Sequence, residues 1–396
     1  MKFVHDTIHG HLKLDDWQVA IVDTLEFQRL RRISQIGFAN LVYPGANHTR
    51  FEHSLGTMHI AKILVERMDA SDDEKIEIVA SALLHDIGHA PFSHCTESIL
   101  RKYLRKGHED VEWILKRGVI GETLSDLGFS VRNIVRHIKG KSDCNVVSGD
   151  IDADRMDYLV RDSHYTGVAY GVFDLSRLLN KITFEGKRMV IESGGIKAAE
   201  SLLVSRYMMY STVYFHHVCR IARKMFERAL EFCIEEGTLN PEDLLRMDDY
   251  DIVSFLRSHG GYPSEIMERI DSRNLFKRAL YVGIDRVDFT DVHRINSKRA
   301  EEEIACIAGV DERDVIVDVP PIEEGKEFKA IVRINGELKS LEEVSSLVKA
   351  LKKAEMDVWR LGVYTKKEFV ESVRKAALKF FNIEKTIKQR RLDELF

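Results

Sequence analysis

Apolar residues recur at helical spacing through residues 56–69 (GTMHIAKILVERMD), 74–88 (EKIEIVASALLHDIG) and 197–236, with Arg, Lys and Glu between them in the last segment. Segments patterned this way hide one stripe of each helix and commit much of the chain to helix-on-helix packing. Only six prolines in 396 residues leave room for long helices. The texture changes near Phe276. ALYVGI (279–284), DVIVDVP (314–320), KAIVRI (329–334) and DVWRLGVYT (357–365) are short, β-branched runs that read as strands, and 341–353 and 366–381 read as helices. We expect a mainly α protein: an all-helical domain over 1–275, then a smaller α+β lobe over 276–396 with a helical C-terminal tail.

Charge and cysteine usage exclude several classes. Lys and Arg total 59 against 64 Asp and Glu, a formal charge of −5, so bulk charge does not call for a nucleic-acid partner, although a local basic pocket remains open. Cys95, Cys144, Cys219, Cys233 and Cys306 are dispersed and form no C-x-x-C pair. Such a set reads as free thiols in a reducing compartment, not as a disulfide framework or zinc knuckle. The N-terminus lacks the basic, apolar, small-residue order of a signal peptide, and no apolar run approaches membrane length. The expectation is a cytoplasmic protein with no membrane partner.

Seven of the 16 histidines fall between His48 and His108. A lone histidine is most often structural, but the neighbours of this cluster change the reading. His85-Asp86 follows an apolar helical run, so an imidazole and a carboxylate enter the interior side by side near a helix end. Burying that aspartate unpaired costs several kcal/mol. A divalent cation is the natural compensator, and a mixed N/O donor set suits six-coordinate Mn, Fe, Co, Ni or Mg better than tetrahedral thiolate zinc.

An HD dipeptide alone is weak evidence, since it occurs by chance. HTRFEHSLG (48–56), LLHDIGHAPFSH (83–94), GHE (107–109) and DIDADRMDYLVRDS (150–163), in that order, carry more. Together they resemble the HD-domain phosphohydrolases, and within them the deoxynucleoside triphosphate triphosphohydrolases. The likeness runs from DTIHGHLKL and DTLEFQRLRRISQIG to RNLFKRALYVG and VIVDVP, nearly the whole chain. It begins at the HD module, with no sterile-alpha-motif domain expected ahead of it.

The resemblance implies that His53, His85, Asp86 and Asp154 hold the metal, with Asp152 bracing the loop. His89, His94 and His108 resemble the family's catalytic histidines, Glu97 an imidazole-orienting acid, and Arg50 a phosphate-contacting arginine. His89, four residues beyond His85, shares its helical face if the helix continues, although Pro91 limits that. Arg155 stands where vertebrate members carry a phosphate-binding lysine. Gln35 and Asp162 resemble residues bonded to the sugar 3′-hydroxyl, and Tyr158 and Tyr210 resemble aromatics that crowd the 2′ position. Ser211 replaces an acidic residue of several relatives. Asp23, Gln28 and Arg31 resemble a guanine-reading activator site, with Arg273 and Lys277 gripping its phosphates from a neighbouring subunit, Lys2 joining them, and Arg177 and Arg188 serving an adjoining nucleotide.

The implied activity is metal-dependent hydrolysis of a (deoxy)nucleoside triphosphate to nucleoside and inorganic triphosphate. A guanine nucleotide activator and a homo-oligomer, tetramer or dimer, go with it. Two alternatives stay open: the same metal site acting on a monophosphate, cyclic dinucleotide or alarmone, or a nucleotide sensor or single-stranded nucleic-acid binder.

Overall fold

A computed structural model describes residues 2–287, 295–321 and 330–383. The expected C-terminal tail beyond residue 383 and Lys329, the first residue of KAIVRI, lie outside them. The chain enters on an antiparallel hairpin, β1 (Lys2–Asp6) and β2 (Gly10–Leu14), with Asp6 opposite Gly10. Helix α1 (Asp16–Val22) follows, capped at its start by Asp15 and Gln18 and ending at Asp23.

Four helices and the turns beside them frame what comes next. α2 (Arg50–Val65) begins six residues before the apolar pattern does, because its first turn is polar yet buried: Arg50 and His53 are both inside. α3 (Asp72–Leu84) starts where the Ser71 hydroxyl accepts the Glu74 N–H, and Asp72, Asp73 and Glu74 suit the positive end of its dipole. α4 (His94–Leu104) and α5 (Ala153–Thr166) complete the frame, the latter capped by the Asp152 side chain. α2 packs against both α3 and α5.

α3 ends at Leu84, so residues 85–88 form a turn and not the helix expected to 88. His89 therefore does not share a helical face with His85. Gly88 marks the reason, since a Cβ there would run into the His108 carbonyl oxygen. The backbone of 107–108 lies against this turn, and only glycine lets it approach.

Strands β3 (Ile182–Glu185) and β4 (Arg188–Glu192) precede α6 (Ile196–Met209). The segment of helical spacing over 197–236 is not continuous helix: Tyr210–Tyr214 is π-helical, and α7 (His217–Glu235) restarts after a break at Phe215 and His216. α8 (Asp249–His259) opens with a capping box from Asp248 and Asp251. Then come β5 (Lys277–Gly283), α9 (Ser297–Ala308), β6 (Val315–Asp318), β7 (Ile331–Ile334), β8 (Glu337–Ser340), α10 (Ser346–Val358), β9 (Arg360–Thr365) and α11 (Val370–Phe380).

The protein is mainly α, with an α+β C-terminal region. Its contacts divide it into residues 1–268 with 327–352, and residues 269–326 with 353–396. This corrects the single boundary at 275/276. The KAIVRI strand, β7, runs parallel to β4, and β8 pairs with β7, giving the order β3-β4-β7-β8. That pairing returns residues 327–352 to the first unit. Here Leu55, Met58, Leu83, Leu84, Met156 and Leu159 are among the buried core. In the second unit, β9 lies between β5 and β6 in an antiparallel sheet against α9 and α11, around Ile304, Val317, Leu361, Val363 and Val373.

Candidate metal centre and active site

His53, one turn into α2, is fully buried, and its Nε2 lies 3.2 Å from His85 Nε2, 3.0 Å from Asp154 Oδ1 and 3.5 Å from Asp86 Oδ2. His85 Nε2 lies 3.4 Å from Asp86 Oδ1 and 3.6 Å from Asp154 Oδ1. The four residues come from the start of α2, the end of α3 and the first turn of α5. Asp152 does something else. It caps α5 through the Arg155 N–H (2.8 Å) and takes the Gly149 N–H (2.7 Å).

The donor set fits a divalent cation. His53 Nδ1 donates to Asp157 Oδ2 (2.8 Å) and His85 Nδ1 to the Ala82 carbonyl (2.8 Å), so both rings turn Nε2 lone pairs toward one another. Two facing lone pairs beside two carboxylates require a positive charge between them. Burial alone would disfavour protonating His53, yet Asp154, Asp157 and Asp86 together raise its pKa to about 10. His85 is raised for a similar reason: burial opposes its charge, and Asp86 and Asp154 overcome it. A metal ion meets that demand and frees both imidazoles to act as neutral ligands.

Arg50 ties this group to a second one. Its guanidinium donates to Asp86 Oδ2 (2.6 Å), Ser93 Oγ (2.8 Å) and the Gln35 carbonyl (3.1 Å). His89 Nε2 lies 3.2 Å from Asp86 Oδ1. The His89 ring stacks on His108 with centroids 4.3 Å apart, and His94 meets it edge-on at 5.0 Å. Parallel stacked imidazoles cannot aim in-plane lone pairs at one ion, so this trio suits an anion or a proton, not a second metal. Glu97 accepts from His94 Nδ1 (2.7 Å) and His108 Nδ1 (3.0 Å), orienting both rings through Nδ1 and leaving each Nε2 outside that contact.

These imidazoles have diverging pKa values. Burial, with Arg50 and His108 nearby, holds His89 well below the ordinary value of 6.5. His94 is lowered too, its desolvation among the neighbouring groups and the nearby Arg50 and His108 outweighing the Glu97 hydrogen bond although the side chain is 55% exposed. For His108, burial is outweighed by Glu97, and its pKa rises. Groups pushed apart in this way can serve as base and acid at one pH.

The backbone before His94 is strained. Phe92 (φ 56°) and Ser93 (φ 54°) are left-handed without being glycine. Asp249 holds them, accepting the Phe92 N–H (2.6 Å), and Ser93 Oγ donates to the Ser34 carbonyl. Arg29 braces the other side, donating to the carbonyls of Ile87 (3.1 Å) and His89 (2.7 Å).

The remaining sequence candidates divide. Asp162 is buried, accepting from His48 Nε2 (2.7 Å) and the Tyr214 hydroxyl (2.6 Å). Gln35 is buried, its Oε1 without a hydrogen-bond partner among the described residues. Tyr158 meets His53 edge-on at 6.3 Å. Tyr210 is exposed and touches Tyr214 at 5.2 Å, while Tyr214 itself faces Tyr158 at 6.4 Å. The residue between Tyr158 and Tyr210 is thus Tyr214, which the sequence reading missed. Ser211 donates to the Met208 carbonyl. Arg155 donates to Asp152 and to the Gly149 carbonyl.

Four of the activator candidates form one connected group on the first unit. Lys2 Nζ bonds Asp23 (3.0 Å), Gln28 Nε2 donates to the Val22 carbonyl (2.8 Å) and Arg31 Nε to Gln28 Oε1 (2.9 Å). Arg177 Nε donates to the Gly194 carbonyl (3.1 Å), and Arg188 stands opposite Glu185. Arg273 and Lys277 belong to the second unit.

A helical frame presenting His53, His85-Asp86 and Asp154 places the chain in the HD-domain family, metal-dependent phosphohydrolases. Residues 50–162 match the HD domain, all-helical here among the described residues, and 173–392 match the HD associated region. An uncharacterized protein of Methanocaldococcus jannaschii is 42% identical, covering 96% of this chain and 82% of its own. The deoxynucleoside triphosphate triphosphohydrolase SAMHD1 homolog of Dictyostelium discoideum is 30% identical over 80% of this chain, and this chain spans 66% of it. The crystal structure of a phosphohydrolase from Bacteroides thetaiotaomicron superposes with a TM-score of 0.74 at 26% identity, over 93% of this chain and all of that one. No described helix is long and apolar enough to cross a membrane.

Proposed function

We propose that this protein hydrolyses (deoxy)nucleoside triphosphates to nucleoside and inorganic triphosphate, at a divalent metal held by His53, His85, Asp86 and Asp154. The observation that carries the reading is the joining of that ligand set, through Arg50, to three clustered imidazoles, two of them aimed by one carboxylate. The bound cation supplies Lewis-acid polarisation of a phosphoryl oxygen and a lowered pKa for water. Arg50 and the protonated His108, with the neutral His89 beside them, stabilise charge building on the phosphate oxygens. His94, neutral because its pKa is depressed, takes a proton from the attacking water; His108, its pKa raised, gives one to the departing 5′-oxygen. Asp162 and Gln35 bond the sugar 3′-hydroxyl, with Tyr158 and Tyr210 crowding the 2′ position. Relatives bearing the triphosphohydrolase name support this choice among HD substrates.

The test is direct. Each dNTP and NTP is incubated with Mn²⁺ or Mg²⁺ and the products are resolved by ion exchange. Tripolyphosphate with nucleoside is expected; pyrophosphate or orthophosphate as the primary product refutes the triphosphohydrolase reading.

The pKa directions fix the sign of a pH effect. His108, raised, carries its proton up to and beyond pH 6.5, and kcat/KM falls as pH climbs through its elevated pKa. His94, lowered, is neutral down to below pH 6.5, and kcat/KM falls on acidification through its depressed value. A bell-shaped profile is expected, and His108→Gln should lose the alkaline limb. A wild-type rate flat across both limbs removes these assignments.

A guanine nucleotide at Asp23, Gln28 and Arg31, with Lys2 beside it and Arg273 and Lys277 of a neighbouring subunit on its phosphates, is proposed to favour a homo-oligomer, most simply a tetramer, and to accelerate turnover. A ligand bound only by the assembled state must favour it by mass action. Sedimentation velocity with GTP titrated into wild type and Asp23→Ala checks this. A constant oligomer and a GTP-independent rate in wild type refute regulation.

A further inference from the structure

The ligand His53 is oriented chiefly from outside its own helix, which offers its Nδ1 only the Thr57 hydroxyl at 3.4 Å. Its Nδ1 partner, Asp157, lies one turn beyond Asp154 on α5 and is completely buried. Three partners share that carboxylate: His53, Arg161 through Nε (2.8 Å) and Nη2 (2.9 Å), and His9, whose Nε2 lies 2.7 Å from Oδ1. Arg161 is itself fully buried, and turns its outer nitrogens to Asp6 (2.9 and 3.2 Å). Asp6 in turn accepts the backbone N–H groups of Ile8 (3.0 Å) and His9 (2.8 Å), fixing the turn that carries the His9 ring. The helices close tightly here. A Cβ on Gly56 of α2 would overlap Asp157 Oδ1, so the carboxylate has no room to relax toward α2.

Asp6 and His9 belong to the hairpin, well over a hundred residues away in sequence from Asp157 and outside the stretch matching the HD domain. We propose that the N-terminal hairpin is part of the metal centre. His9 and Asp6 are positioning residues that pin Asp157 against His53 Nδ1 and so keep the imidazole in the tautomer and orientation that present Nε2 to a divalent cation. The physical reason is the count of partners. Remove His9, and Asp157 Oδ1 keeps only Arg161; the carboxylate can swing with the guanidinium, and the ring it orients loses its fixed acceptor. Partners of this kind behind a metal ligand are worth roughly 10–100-fold in metal affinity.

The experiment titrates Mn²⁺ into metal-stripped, full-length protein by calorimetry, with thermal unfolding of each metal-free form alongside. Variants are His9→Ala, His9→Gln, Asp6→Asn and, as controls on the same hairpin, His5→Ala and His11→Ala. These two controls are exposed and meet each other across the strands, rings tilted at 55° with centroids 4.7 Å apart. His9→Ala should weaken Mn²⁺ binding by about 10–100-fold, and Asp6→Asn should weaken it too. His9→Gln, which retains an N–H of similar reach, should recover most of the affinity, and the controls should bind as wild type does. NMR of the metal-free protein adds a readout independent of affinity: a His53 Nδ1–H proton shifted downfield and protected from exchange by its bond to Asp157 in wild type, and broadened or lost in His9→Ala. The proposal is overturned if His9→Ala binds Mn²⁺ as wild type does with the His53 Nδ1–H signal unchanged, or if His5→Ala weakens binding as much as His9→Ala. The inference rests on the four-ligand reading. Asp86→Ala in the same titration separates the two: if it binds Mn²⁺ normally, the ligand set itself is wrong.

Discussion

Asp86→Ala is expected to abolish turnover and to leave the protein without its metal, while the helical fold persists. Asp86 is 2% exposed and stands within 3.5 Å of both imidazole Nε2 atoms. It also receives the Arg50 guanidinium at 2.6 Å. The substitution therefore removes a metal ligand and leaves a buried guanidinium short of its counter-charge. Breaking a buried pair by deleting one partner costs about 3–5 kcal/mol, so a lower melting temperature should accompany the loss of activity. Asp86→Asn separates the two effects, because it retains the shape and one acceptor oxygen but withdraws the charge. Elemental analysis gives the metal content, circular dichroism the fold, and the product assay the rate. Full activity in metal-free Asp86→Ala would eliminate this centre as the catalytic one.

His94→Ala and His108→Ala are expected to keep their metal and lose turnover by roughly 10²–10⁴-fold each, the range for a positioned acid or base. Neither touches the ligand set. Both hang from Glu97, whose pKa is held far below the ordinary carboxylate value: burial opposes the charge, but His108 and His94 overcome it. Glu97→Gln should therefore damage both rings at once, and a double mutant with His108→Ala should cost less than the sum of the singles. The measurement is kcat at saturating metal and nucleotide, with metal content determined on the same samples. If both alanine variants keep wild-type kcat with metal in place, the trio is a structural cluster and the proton comes from elsewhere.

Much of the centre was legible in the chain. HTRFEHSLG, LLHDIGH and DIDADRMDY name all four metal-facing residues, because a ligand set on helix termini leaves short, ordered motifs. The choice of Asp154 over Asp152 came from resemblance, and the structure supplies the reason for the geometry. Asp152 is taken by the N–H groups of Gly149 and Arg155 as a helix cap, while Asp154, two residues on, faces the histidines. Helical periodicity located α3 but overran its end, since nothing in an apolar stripe reports that His108 backbone presses on Gly88. It also missed the first turn of α2, which is buried without being apolar.

What the chain could not disclose by itself is everything decided across distance. Tyr214 sits four residues past Tyr210, but only the π-helical turn between them brings its hydroxyl to Asp162. The KAIVRI run reads correctly as a strand and wrongly as part of the C-terminal lobe, because strand identity is local and its parallel partner, β4, is not. Asp6 and His9 carry no periodic signal toward Asp157. The sequence by itself determined the helical frame, through side-chain period, and pointed to the candidate metal-facing residues and the histidines that accompany them, through short motifs and the resemblance those motifs carry. Tertiary structure alone decided which buried charges face one another. A carboxylate taken out of water must find its partners wherever the fold brings them, and for Asp157 one comes from the next turn of its own helix while His9 and His53 come from far earlier in the chain.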